Sequence, residues 1–139
     1  MQKIVIDTNV IVSALIGSGH PRTILFDIVL GKKVQLFIST ATFNEYVLVL
    51  NRDRFRKYPE FILNAEIVLN KIEQLAIKID SDLKFNVVKD DPDNRFLELA
   101  VASKADFLIT GNTNDFTFNE FGAIKIITPE AFINTFLRI

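Results

Sequence analysis

The side chains in this sequence best placed to do chemistry are carboxylates at the ends of apolar runs. The clearest is Asp7, which closes Lys3-Ile4-Val5-Ile6-Asp7-Thr8-Asn9. A short uninterrupted Ile-Val-Ile run reads as a strand buried on both faces of a parallel sheet, and ligands of such sheets gather at the strands' carboxyl ends. Further acids follow at Glu45, Asp90, Asp91, Asp93 and Asp115. Each has an ordinary structural role open to it. Asp7 can cap the helix that starts after it, and Glu45, three residues past Thr42, fits a capping box. Asp91 before Pro92 suits an N-cap with proline in the first turn, Asp93 then meets the helix macrodipole favourably, and Asp115 can close a turn. These separate roles leave the joint placement unexplained. Asp7, Glu45, Asp93 and Asp115 each follow a strand or open a helix at the presumed same sheet edge. An acid taken out of water is costly unless something pairs with it, so the shared placement points to a metal. Mg²⁺ and Mn²⁺ take oxygen ligands and keep several waters. Two such ions roughly 4 Å apart can activate a water and stabilise the leaving oxygen of a phosphodiester.

Other chemistries have little to work with. The chain has no cysteine, which excludes disulfides, thiolate zinc sites and cysteine nucleophiles and permits a reducing cytosol. Its one histidine, His20 between Gly19 and Pro21, reads as a loop residue, and no GxSxG turn supports a Ser-His-Asp triad. The basic run Arg52, Arg54, Arg56 and Lys57 reads first as a solvated turn and second as a contact for RNA phosphates. Tyr46 and Tyr58 read as packing residues.

The elements that must carry these acids alternate between strand and helix. After the opening strand, Val10 to Leu15 begins a helix that breaks at Gly17-Ser18-Gly19-His20-Pro21; Thr23 to Leu30 is helical again and Gly31 stops it. Val34 to Ile38 is the next strand, and Ser39-Thr40 caps a helix running to about Leu50. Pro59 starts a helix in which Phe61, Ile62, Ala65, Val68, Leu69 and Ile72 recur at helical spacing, giving an antiparallel helical hairpin. Any exposed part of that stripe is a natural docking surface for a second subunit or a partner helix. Ala76 to Ile79 reads as a third strand, Asn86 to Val88 as an extended approach to the acidic turn, and Pro92 to Ser103 as a helix. Asp106 to Thr110 repeats the opening design, Ala123 to Ile127 is the last strand, and Thr128-Pro129-Glu130 begins the final helix.

This alternation predicts an α/β domain with a twisted, mainly parallel sheet of four or five strands covered on both faces. Its 139 residues suit one domain spanning residues 1–139, and a composition 49% hydrophobic and 24% charged is that of a core-rich globular chain. No signal-peptide pattern opens the chain and no apolar run nears the roughly 20 residues that span a bilayer, so the expectation is a cytoplasmic protein without a membrane partner. The net charge of −1 does not advertise nucleic acid, so an RNA reading must rest on local features.

Four blocks, taken in order, resemble a PIN domain: Ile6-Asp7-Thr8-Asn9-Val10; Glu45 near the head of a helix; Asp93-Asn94-Arg95-Phe96-Leu97-Glu98-Leu99-Ala100; and Leu108-Ile109-Thr110-Gly111-Asn112 followed by Asp115-Phe116. Within that superfamily the sequence is most similar to the compact VapC-like toxins of toxin-antitoxin systems. The resemblance implies a three-layer α/β/α fold and a Mg²⁺- or Mn²⁺-dependent ribonuclease whose metal-binding quartet is Asp7, Glu45, Asp93 and Asp115. In it Thr8 and Asn9 orient Asp7, while Thr110 and Asn112 position ligands, water or phosphate. Many relatives carry an aspartate where this chain has Asn112, which leaves Asp115 as the fourth acid, and Asp93 is preferred over Asp90 and Asp91 because its distance to Phe96 and Ala100 fits the family pattern. The implied partners are an RNA substrate, a small antitoxin protein and further copies of the chain as a dimer or tetramer.

Two rival readings remain. Asp7 could be the nucleophile or phospho-acceptor of a phosphoryl-transfer α/β enzyme, although no second aspartate follows two residues later. Alternatively the chain is a degenerate PIN scaffold that binds RNA or protein without cutting, a reading the retention of all four acids opposes.

Overall fold

The computed structural model describes residues 1–111 and 118–137. Strand β1 (Lys3–Ile6) leads into helix α1 (Thr8–Ile16). A short helix α2 (His20–Arg22) runs on into a π-helical stretch, Thr23–Val29. Strand β2 (Gln35–Ile38), helix α3 (Thr40–Leu50), a 3₁₀ turn (Asp53–Phe55), helix α4 (Pro59–Leu75) and strand β3 (Ile77–Lys78) follow. Helix α5 (Asp91–Ser103), strands β4 (Phe107–Ile109), β5 (Glu120–Phe121) and β6 (Ile124–Ile127), and helix α6 (Pro129–Leu137) complete the order.

The strands form one sheet in the order β3-β2-β1-β4-β6-β5. All neighbours are parallel except the β5–β6 pair. Ile4, Val5 and Ile6 of β1 and Phe107, Leu108 and Ile109 of β4 are all buried. Successive side chains on a strand point to opposite faces, so the centre of the sheet is covered by helices on both sides, in an α/β/α sandwich. The sixth strand is β5, which the sequence reading leaves out. It pairs with β6 through a two-residue hairpin with Gly122 at φ 61°, a left-handed conformation glycine adopts freely.

Local chemistry explains most boundaries. The Ser39 hydroxyl accepts from the Thr42 amide and the Thr42 hydroxyl accepts from the Ser39 amide, so the capping box of α3 belongs to Ser39 and Thr42 and does not involve Glu45. The Thr128 hydroxyl accepts from the Ala131 amide at the head of α6. Two expectations need correction. His20 is the first residue of α2 rather than a loop residue, because Gly19 at φ 102° makes the turn and Pro21 is tolerated in the first helical turn. The residue that precedes α5 is Asp90, not Asp91, and it makes no side-chain cap bond.

Candidate active site

The strand order places the site. From β1 the chain winds outward through β2 and β3 on one side and, after α5, through β4 and β6 on the other, so the order reverses between β1 and β4. In open α/β sheets a crevice opens at the carboxyl ends of that pair. Asp7 is the first residue beyond β1 and Thr110 the first beyond β4. The Asp7 amide donates to the Ile109 carbonyl at 2.9 Å, the Thr110 hydroxyl donates to Asp7 Oδ2 at 2.7 Å, and the Gly111 amide donates to Asn9 Oδ1 at 3.1 Å. Three polar bonds thus stitch the two strand ends across the crevice.

That geometry separates the two roles open to Asp7. It occupies the position before α1 with extended backbone, yet its side chain makes no cap bond to that helix. The carboxylate is instead 7% exposed and turned toward β4. Burying a carboxylate costs several kcal/mol in an apolar setting, and a cap that makes no cap bond returns nothing for it. The hydroxyl holding Asp7 is that of Thr110, not of Thr8. Asn9 reaches the Gly111 amide rather than Asp7. Thr8 is buried, and its Oγ1 has no hydrogen-bond partner among the described residues.

Asp93 lies in the first turn of α5 and is 6% exposed. One turn on, Phe96 places its ring centroid 5.8 Å from that of Tyr46, whose hydroxyl donates to the carbonyl of Ile6, the residue before Asp7. The Asp93-bearing face of α5 is therefore packed onto the end of β1. Burial, with the charge of Asp7 adding to it, drives the Tyr46 phenol's pKa far upward, so it stays a neutral donor. Asp90 and Asp91 are exposed, and Asp91 is 3.7 Å from the Arg95 guanidinium.

The segment before α5 is pinned by residues that the sequence reading does not single out for this purpose. Fully buried Asn94 accepts from the Val87 and Val88 amides and donates to the Val88 carbonyl. Glu98 accepts from the Phe85 amide at 2.7 Å and from Arg95 at 2.8 Å, and Arg95 also donates to the Phe85 carbonyl. Asp80 accepts from the amide and hydroxyl of Thr40 at the head of α3, two bonds that hold its carboxyl below the usual carboxylate range.

Glu45 is half-buried on α3 beside Tyr46. Asn112 and Asp115 lie outside the described residues. Among the described residues no three acidic or histidine side chains stand close enough together to surround one ion. The basic run is exposed on the α3–α4 connection, where Arg56 pairs with Asp53 at 3.3 Å and Arg54 and Lys57 lie over the rings of Phe55 and Tyr58. Of the α4 stripe, Phe61, Ala65, Val68, Leu69 and Ile72 are buried, while Leu63 and Ile67 on the opposite face are exposed.

The family model described as PIN domain matches residues 3–114, beginning at the first residue of β1. The chain is a PIN-domain protein. It is 31% identical over 143 residues, covering 96% of this chain and 91% of the other, to the uncharacterized protein MJ1680 of Methanocaldococcus jannaschii. PIN domains are generally nucleases, and PIN nucleases generally use divalent metals. The donors at this PIN site suit such an ion in kind. Asp7 and Asp93 offer buried carboxylates, the Thr8 hydroxyl is buried without a hydrogen-bond partner among the described residues, and all are the oxygen ligands hard cations prefer. No described helix of this PIN domain is long and apolar enough to cross a membrane.

Proposed function

We propose that this PIN domain is a Mg²⁺- or Mn²⁺-dependent endoribonuclease, acting in the cytoplasm as the toxin of a toxin-antitoxin pair. The observation that carries the nuclease reading is the Asp7 carboxylate, buried at the β1–β4 crevice and held by Thr110 instead of capping α1. A bound divalent cation would supply an activated water and neutralise charge on the phosphate. The chain's own part is to hold the ligands. Asp7 is fixed by the Thr110 hydroxyl and by its own amide, and Asp93 by a helix whose approach is pinned through Asn94. Glu45 and Asp115 complete the acidic set in this reading. The toxin assignment rests on the resemblance of the sequence blocks to those of VapC-like toxins and implies a small antitoxin that shields the acids, placing an arginine or lysine among them. The same similarity implies a homodimer or tetramer.

The test is cleavage of structured RNAs by the purified chain with Mg²⁺ or Mn²⁺ and with excess EDTA, alongside an Asp7→Asn control for contaminating nuclease. Cleavage should require the metal and vanish in the variant. Cleavage that persists in EDTA, or equally in the variant, defeats the reading. Toxicity on expression that the product of an adjacent small gene does not relieve would remove the toxin assignment and leave the nuclease.

A further inference from the structure

Tyr46 touches each described element that carries a proposed ligand. It belongs to α3 next to Glu45, its hydroxyl reaches the end of β1 before Asp7, and its ring meets Phe96 of α5 one turn beyond Asp93. The carbonyl it holds is one the sheet leaves over. Along a strand the hydrogen-bonding groups of successive residues alternate sides; the Asp7 amide points to β4, so the Ile6 carbonyl points toward β2. There the ladder has ended, because β1 pairs with β2 only over Lys3 and Ile4 but with β4 as far as Ile6. A buried carbonyl left without a partner is costly. The Tyr46 hydroxyl takes the place of the missing strand.

We propose that Tyr46 is a positioning residue of this site: by holding the Ile6 carbonyl, its hydroxyl fixes where the Asp7 carboxylate stands relative to the acids of α3 and α5. The proposal rests on the metal-nuclease reading above. The hydroxyl is not a catalytic group, since it is completely buried and its proton is committed to a backbone carbonyl. Outer partners that orient metal ligands influence affinity because a ligand out of place must be pulled back at the expense of binding.

The test is a Mn²⁺ titration followed by thermal shift and by RNA cleavage, on wild type, Tyr46→Phe and Phe132→Leu. Tyr46→Phe keeps the ring and removes the hydroxyl; Phe132 is a fully buried α6 residue packed on Phe107, serving as a control for lost stability alone. In Tyr46→Phe the Mn²⁺ midpoint should rise about tenfold in both readouts, with cleavage largely restored at saturating Mn²⁺. Phe132→Leu should melt earlier at an unchanged midpoint. A Tyr46→Phe midpoint equal to wild type overturns the positioning role and leaves the nuclease reading standing. A wild type indifferent to Mn²⁺ in both readouts overturns both. Should Tyr46→Phe fail to fold, fluorotyrosine in a Tyr58→Phe background labels Tyr46 alone, since the chain has two tyrosines. Its ¹⁹F resonance should then shift on adding Mg²⁺, and a resonance that ignores Mg²⁺ overturns the proposal.

Discussion

The aspartates before and within α5 are close in sequence and far apart in environment. Asp91 is a surface residue whose contact with Arg95 is of a kind that contributes about 0–1 kcal/mol, whereas Asp93 is buried in the same turn. Asp7→Asn and Asp93→Asn should therefore abolish RNA cleavage by more than the roughly 10- to 100-fold that losing an outer partner costs, while Asp91→Asn should stay within about twofold. The same two variants should melt higher than wild type in EDTA, because each removes a buried negative charge, and should gain less from millimolar Mg²⁺. Melts at matched ionic strength in the two buffers check this. If both substitutions lower the melting temperature and Mg²⁺ moves none of the proteins, the acids are structural and no metal cluster exists. Sequence alone made Asp7 conspicuous because an acid ending an apolar strand is a local signal. It could not exclude the cap, since the contact that turns the carboxylate away from α1, with Thr110, spans 103 positions.

The segment between β3 and α5 shows how an irregular stretch can be held as firmly as a strand. At one end Asp80 binds the head of α3, and at the other Asn94, Arg95 and Glu98 take the backbone of residues 85–88. Asp80→Ala should lower the melting temperature at neutral pH. Because the folded-state pKa of Asp80 is depressed, its contribution is fully present above the unfolded value of about 3.9 and disappears as pH falls through the folded value. The difference between the two melting curves should thus be constant from pH 7 to about 5 and close on further acidification; a gap that persists in acid would refute the pairing. Neither tether is legible in the sequence, where Asp80 and Thr40 lie 40 positions apart and Asn94 resembles any other polar residue of a helix. The elements that were legible, such as α3 with Ser39-Thr40 and α4 behind Pro59, announce themselves through neighbours within one turn. The strand missed, β5, is two residues long and offers only Gly122 as punctuation.

At the scale of the molecule, β1 is central only because β4 arrives beside it late. Strand β1 waits through a hundred residues of synthesis for the partner that builds the crevice. Domains generally fold as units during synthesis, and contacts of such long sequence separation are slow to form. A chain ending at residue 105, which lacks β4, should show neither a cooperative melt nor a Mn²⁺ shift, whereas the full chain shows both; a truncated chain that still binds Mn²⁺ with the wild-type midpoint would refute this. Under the proposed function, an enzyme that attacks RNA is assembled on a machine made of RNA, threading along a message it could itself destroy. Under that function, placing half of the site on residue 7 and its anchor on residue 110 means that the nascent chain carries no working blade until β4 has been made, so the order of synthesis itself serves as a safety catch.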